Sequence, residues 1–400
     1  MNKSLTTLLA TVTMFPSVVA ANTITDAITS GEANIDLRLR YESVNQDNAV
    51  DDADALTLRT RLGYTTGSYK GFSAMVEMED VRIVGGVDDY TVGPTGFNPG
   101  ENSVIADPEN TELEQGYIKF KNDYITAKLG RQVITYDGHR FVGHVGWRQD
   151  RQTFDALTLQ GKPNKDSELK YAYISKRNRI FAEDADINSR DHLFNASYMT
   201  PLGKLSGYAY LLEVDNSTDN SLDTYGVSLK GSSKLDNTKL GYHVEYANQD
   251  SENGTADFNA DYVFLEGSVS AGGVTTKLGY EVLGSDDSAY GFSTPLATLH
   301  KFNGWSDQFL ATPQQGLVDA YVSVSGKVLK GKWAVIYHDF EADDPSAGVD
   351  DLGDEIDLLF AKKFSKHYSG GIKYASYSAG DTAAGKVDTD KLWLWVGAKF

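Results

Sequence analysis

The chain has 400 residues, with 37 Lys and Arg against 56 Asp and Glu and a net charge of −19. So acidic a surface does not suit the phosphate backbone, and no nucleic-acid partner is expected. The absence of Cys excludes a disulfide framework and a thiolate metal site, while abundant Tyr (23) and Phe (17) with scarce Pro (9) favour strands.

The N-terminal stretch has a basic start at Lys3, no charge from Leu5 to Phe15, and small residues at Val18 and Ala20. It reads as a secretory signal peptide over 1–20, cut after Ala20 in preference to Ala21. Its apolar stretch is too short to cross a bilayer as a helix, and no later segment comes near the ~20 apolar residues a spanning helix needs. Membrane-spanning strands, however, carry only an alternating signal.

From Ala33 onward that alternation runs through the chain. Ile35, Leu37, Leu39 and Tyr41 alternate with Asp36, Arg38, Arg40 and Glu42; Phe72, Ala74, Val76 and Met78 alternate with Ser73, Met75, Glu77 and Glu79. A period of two places each set on one face of a strand. The pattern predicts about eighteen strands, near 33–44, 54–66, 71–82, 112–121, 124–134, 152–161, 167–177, 191–201, 204–215, 222–232, 238–249, 258–269, 274–283, 316–328, 331–341, 353–365, 368–379 and 388–400. Connections after the even strands are mostly short and those after the odd strands mostly long. That sorting is the signature of an antiparallel transmembrane β-barrel with short periplasmic turns and long extracellular loops; a soluble sandwich alternates too but does not sort its loops by length. One barrel over 21–400 accounts for the mature chain without a second domain.

The long loops hold paired acids: Asp51 and Asp52, Asp88 and Asp89, Asp286 and Asp287, Asp343 and Asp344, Asp350 and Asp351. They read as a solvated outer rim, or as carboxylates bridged by Ca²⁺ to lipopolysaccharide. No EF-hand spacing occurs, and no metal or cofactor is assigned.

All twelve Arg lie between Arg38 and Arg190. Arg38, Arg40, Arg59 and Arg61 share the polar, luminal face of neighbouring strands, since a charge on the lipid face costs about 2–4 kcal/mol near the midplane. Glu77 and Glu79 face the same way one strand on. This arrangement reads as an anion-selective constriction, because guanidinium forks onto carboxylates, or as a structural Arg–Glu ladder; both readings stand. Arg131, Arg140, Arg148 and Arg151 lie in or beside a glycine-rich loop that could carry them into the lumen. Strict alternation puts Arg131 and Asp155 on the lipid side, which points to a β-bulge or to positions beyond the membrane rim.

Two stretches carry a resemblance. Gly130, Arg131 and Gln132 with Trp147, Arg148, Gln149, Thr153, Phe154, Asp155 and Ala156, and the run from Phe292 to Val322, resemble the alginate-export family of outer-membrane barrels in its porin-like form. The resemblance implies an eighteen-stranded barrel conducting an anionic, saccharide-like solute. The chain departs from a continuous arginine lining: it has no Arg after Arg190, and Glu77, Glu79 and Asp319 face its lumen. A channel for small hydrophilic, anionic or saccharide-like solutes is therefore expected, with export of an alginate-like polysaccharide as the alternative. In the 292–315 loop, Trp305 could stack on a sugar ring and Lys301 hold its carboxylate, unless the loop merely packs on itself.

The seven His are scattered, with neither a His-Glu-x-x-His helix nor a Gly-x-Ser-x-Gly elbow. A hydrolase built on His243, or an adhesin, is the remote alternative, and no enzyme is expected. The chain ends on an alternating strand from Asp390 to Phe400, similar to the ending of bacterial outer-membrane barrels. That ending implies a partnership with the barrel-assembly machinery through Phe400, besides outer-membrane lipid and lipopolysaccharide, and a location in the bacterial outer membrane.

Overall fold

The computed structural model describes residues 21–93 and 97–400; the expected signal peptide lies outside them. A short helix, α1 (Ile24–Thr29), comes first, with Thr23 and Asp26 forming a reciprocal capping box. The strands are β1 (Glu32–Gln46), β2 (Ala53–Thr65), β3 (Phe72–Asp89), β4 (Asn110–Lys121), β5 (Ile125–Gln132), β6 (Thr153–Asn164), β7 (Ser167–Asn178), β8 (Ile187–Thr200), β9 (Gly203–Leu212), β10 (Asn220–Leu235), β11 (Thr238–Asn253), β12 (Ala256–Ala271), β13 (Val274–Leu283), β14 (Leu317–Val328), β15 (Gly331–Ser346), β16 (Val349–Lys363), β17 (Tyr368–Ser378) and β18 (Thr389–Lys399). Each predicted strand has its counterpart, with ends shifted by a few residues; β3 extends furthest past its predicted end.

Every strand pairs antiparallel with its chain neighbours, and β18 closes onto β1 to give an 18-stranded sheet without edges. At the seam Arg38 faces Gly397, Arg40 faces Trp395 and Glu42 faces Trp393. The period of two sorts side chains as expected: Leu62, Met78, Ile118, Leu129, Leu394 and Val396 are exposed on the outside, while Arg59, Arg61, Glu77, Glu79 and Trp393 are buried inside. Glu114 is an exception to simple alternation. It is an extra residue between Leu113 and Gln115 where β4 slips against β3, and this bulge turns it fully inward.

The turn between β14 and β15 places Leu329 (φ 51°) and Lys330 (φ 63°) in the left-handed region that such two-residue hairpins demand and that Asn and Gly fill more easily. On the other rim the long connections 133–152 and 284–316, with residues 90–93 and 97–109, turn into the barrel. The buried core lies where these loops meet the wall. Tyr136 and Phe141 pack among Tyr208, Tyr210, Tyr262 and Phe292, and Tyr90, Val92 and Ile105 pack on Val44, Ala53 and Ala55.

Candidate pore constriction

The arginine-bearing wall of β1 and β2 anchors the 133–152 loop. Arg38 donates to Gln149 Oε1 (2.9 Å) and to the carbonyls of Gly146 (3.3 Å) and Arg148. Arg40 donates to the Trp147 carbonyl and pairs with Asp107 and with Glu42 (3.2 Å). Arg59 pairs with Asp36 (2.8 Å), while Arg61 pairs with Glu79 and donates to the Gln149 carbonyl (3.1 Å). From the loop, Arg148 reaches back to Glu42 (2.9 Å) and across to Asp307 (2.9 Å), and Arg151 pairs with Glu77 and Glu114.

These groups face the lumen as expected, but they do not line an open passage. Arg40 is 1% exposed, Arg59 4% and Arg61 5%. The physical reason is the loop itself: it covers the wall, and a charge under cover persists only when carbonyls and carboxylates surround it. Arg38, Arg40 and Arg61 thus hold the 133–152 loop from the wall, Arg148 and Arg151 reach from the loop to Glu42 and Glu77, and Arg59 and Glu79 pair within the wall with Asp36 and Arg61. Arg131 stays on the outward face at the end of β5, opposite Asp155, and pairs with it at 2.9 Å.

The 284–316 loop closes over the first one. Gly143 N–H donates to the Leu296 carbonyl (2.7 Å), Thr298 N–H to the His139 carbonyl (3.0 Å), and His144 N–H to Thr298 Oγ1 (3.1 Å). Arg140 bridges the loops, binding Glu281 (2.7 Å) on β13 and Asn303 (3.2 Å). His300 stacks on Trp147, and Trp393 and Trp395 stand edge-on to that same indole. His300 Nε2 lies 2.6 Å from Lys373 Nζ and its Nδ1 2.6 Å from Asp307. An ammonium only donates, so Nε2 accepts and Nδ1–H donates to the carboxylate, which makes the imidazole neutral. Burial pulls its pKa down to about 3 against the opposing Asp307 charge. Burial opposes the Asp307 charge in turn, but the His300 hydrogen bond, Lys391 and Arg148 overcome it and hold the carboxyl well below its usual range. Lys373 Nζ sits 3.7 Å from the Trp305 ring centre and 4.4 Å from that of Trp147, an ammonium boxed by indole faces.

A cavity of about 280 Å³ lies open between the two loops and the wall of β10 to β15. Three lysines line it. Lys230 and Lys301 are exposed, and Lys277 is half-buried beside Glu266 (2.9 Å). Burial, then the charges of Lys230 and Lys277, lower the Lys301 ammonium, so the three form one electrostatic group. The acids on this wall are spent. Glu245 accepts from Tyr208 (2.8 Å), Glu281 from Arg140 and Tyr262 (2.6 Å), and Asp319 from His338 (2.8 Å) and Asn303 (3.1 Å). Trp305, Phe302 and Tyr321 add aromatic faces. Lys301 and Trp305 thus stand at the cavity as expected, and the loop they sit on is an inward plug rather than a surface loop. Lys230 and Lys277 escaped sequence reasoning, although inward parity on β10 and β13 marks both. His243 also lines the cavity, 3.5 Å from Glu245 and edge-on to Phe264.

The family model described as alginate export matches residues 29–285. Similar solved structures include Acinetobacter baumannii OccAB4 (14% identity, TM-score 0.74, covering 94% of this chain and 99% of that one). Pseudomonas aeruginosa OccK9 (OpdG) is 15% identical with a TM-score of 0.71, covering 94% and 100%. P. aeruginosa OpdK, solved with vanillate, is 12% identical with a TM-score of 0.71, covering 92% and 98%. No curated protein matches the chain.

Proposed function

The chain belongs to the alginate-export family, and from that premise we propose that this outer-membrane channel admits small anionic or saccharide-like solutes by passive diffusion. It is a channel and not an enzyme, and it sits in outer-membrane lipid and lipopolysaccharide. The solute path runs through the cavity beside Lys230, Lys277 and Lys301. The observation that carries this reading is the asymmetry of the charges there: Lys230 and Lys301 are exposed at the open space, while Glu245, Glu281 and Asp319 are buried and hydrogen-bonded and Glu266 is paired with Lys277. A carboxylate entering the cavity meets the ammonium groups of Lys230 and Lys301, which pair with no carboxylate among the described residues, and Trp305 offers the flat face of a sugar or aromatic ring a stacking partner. Export of a polyanionic chain is less well supported, because loops 133–152 and 284–316 are hydrogen-bonded across the lumen and leave no continuous arginine track. Assembly into the membrane is proposed to use the closing strand, whose last residue, Phe400, exchanges two backbone hydrogen bonds with Ile35 of β1 (3.0 and 3.2 Å).

Reversal potentials across planar bilayers under a KCl gradient test the proposal. The wild-type channel should prefer chloride, and replacing Lys230, Lys277 and Lys301 together by Gln should abolish that preference. Cation preference in the wild type, or unchanged selectivity in the triple variant, would overturn it.

A further inference from the structure

Away from the lysine cavity, three carboxylates converge where the 133–152 loop meets β3 and β4. Glu79, Glu114 and Asp150 each offer an oxygen within 4.8 Å of the others, and all are at most 1% exposed. Glu79 Oε1, Glu114 Oε2 and Asp150 Oδ1 accept no hydrogen bond among the described residues, while Glu114 Oε1 is ion-paired with Arg151. Such orphaned oxygens are costly in a buried setting unless something else fills them.

The local charges do not balance. Arg61 pairs with Glu79 and lies 3.5 Å from Glu114, and Arg151 serves both Glu77 and Glu114. Asp150 receives a long hydrogen bond from Asn110 (3.4 Å), stands within hydrogen-bonding reach of the Glu112 carboxyl, and has Glu79 and Glu114 as further electrostatic neighbours. Arg61 and Arg151, with Arg59 near Glu79, face five carboxylates, Glu77, Glu79, Glu112, Glu114 and Asp150, so negative charge is in excess.

We infer that Glu79, Glu114 and Asp150 bind a divalent cation of the calcium class, which clamps the 133–152 loop to the barrel wall. Oxygens on one Ca²⁺ stand about 2.3–2.6 Å from the ion and so up to about 5 Å from each other, the span this triad shows. A double charge cancels the excess, and water completes the coordination. The site is built at the β4 bulge, which makes Glu114 an extra, fully inward residue. It is separate from the solute path, so the clamp stands or falls independently of which solute passes.

The test uses the whole purified barrel stripped with EDTA and titrated calorimetrically with Ca²⁺. Wild type should take up one more Ca²⁺ per chain than Asp150→Asn, a change that keeps side-chain shape, and exposed acidic loops contribute equally to both. Equal stoichiometry in the two proteins would overturn the inference. Because the variant could fail to fold, amide exchange over 133–152 is also compared in wild type with Ca²⁺ and with EDTA. Slower exchange with Ca²⁺ supports the clamp. Identical exchange shows that a proton shared between Asp150 and Glu112 balances the cluster instead, and overturns it.

Discussion

Trp147 lies face to face on His300, ring centroids 5.2 Å apart and planes within 6° of parallel, although the two come from different extracellular loops. The stack is the centre of the constriction: it holds the two loops together and walls one side of Lys373. Truncating Trp147 to Ala should remove about 3–5 kcal/mol of local packing. Single-channel recording should show larger and noisier conductance steps, with the barrel's overall melting little changed.

Arg61→Ser leaves Glu79 and Glu114 buried beside a missing guanidinium, a loss of about 3–5 kcal/mol for one side of a buried pair. The expected outcome is a loosened 133–152 loop, read as faster amide exchange and raised conductance. The chloride-to-potassium permeability ratio should move less than in the triple lysine variant measured side by side. A lost ratio at unchanged conductance would return Arg61 to the selectivity residues.

Acid should release the constriction. An imidazole freed from the stack titrates near 6.5, whereas His300 in place is held at about 3. The displaced state therefore binds the proton more readily, and the stabilisation is complete above about pH 6.5 and lost as pH falls toward about 3. Asp307, held below its usual range, adds a loss of the same sign only below about pH 4. Arg148 faces the same pair and stays charged throughout, and Lys373 and Lys391 contact His300 and Asp307 from the wall. Tryptophan fluorescence and conductance should change between pH 6.5 and 4 in wild type, and His300→Gln should flatten that part of the curve.

The turn holding Leu329 and Lys330 at positive φ stores roughly 1–2 kcal/mol per residue of backbone strain. Replacing the pair by Asn and Gly should raise the melting temperature without affecting conductance. An unchanged or lowered temperature would show that Leu329, which is exposed at the membrane rim, contributes more as an interfacial anchor than it costs as a turn residue.

The barrel was legible because alternation is a local property: Leu62 outward and Arg61 inward follow from neighbours in sequence. Parity alone puts Trp393 and Trp395 on the luminal face, where the 133–152 loop meets them. The state of the inward charges was not legible in that way. Whether Arg40 meets water or a carbonyl depends on where Trp147 lies, and the 133–152 loop has no period from which to read its path. Lys373 shows the same limit, since its parity is plain but its indole box is drawn from three separate segments. Glu114 was hidden for another reason: a bulge breaks the alternation at that residue. Arg131 is the opposite case, in which parity alone marks the outward face it takes.

The seam between β1 and β18 has a consequence for assembly. Arg38, Arg40 and Glu42 grip the 133–152 loop from one side of it, while Trp393 and Trp395 back that loop from the other. The first and last strands are thus two jaws of a single vice. Until they meet, the plug has only half its grip, so a narrowed lumen is itself the signature of a completed cylinder. Variants that weaken closure should therefore be seen first as leakiness toward large solutes, before any strand is lost.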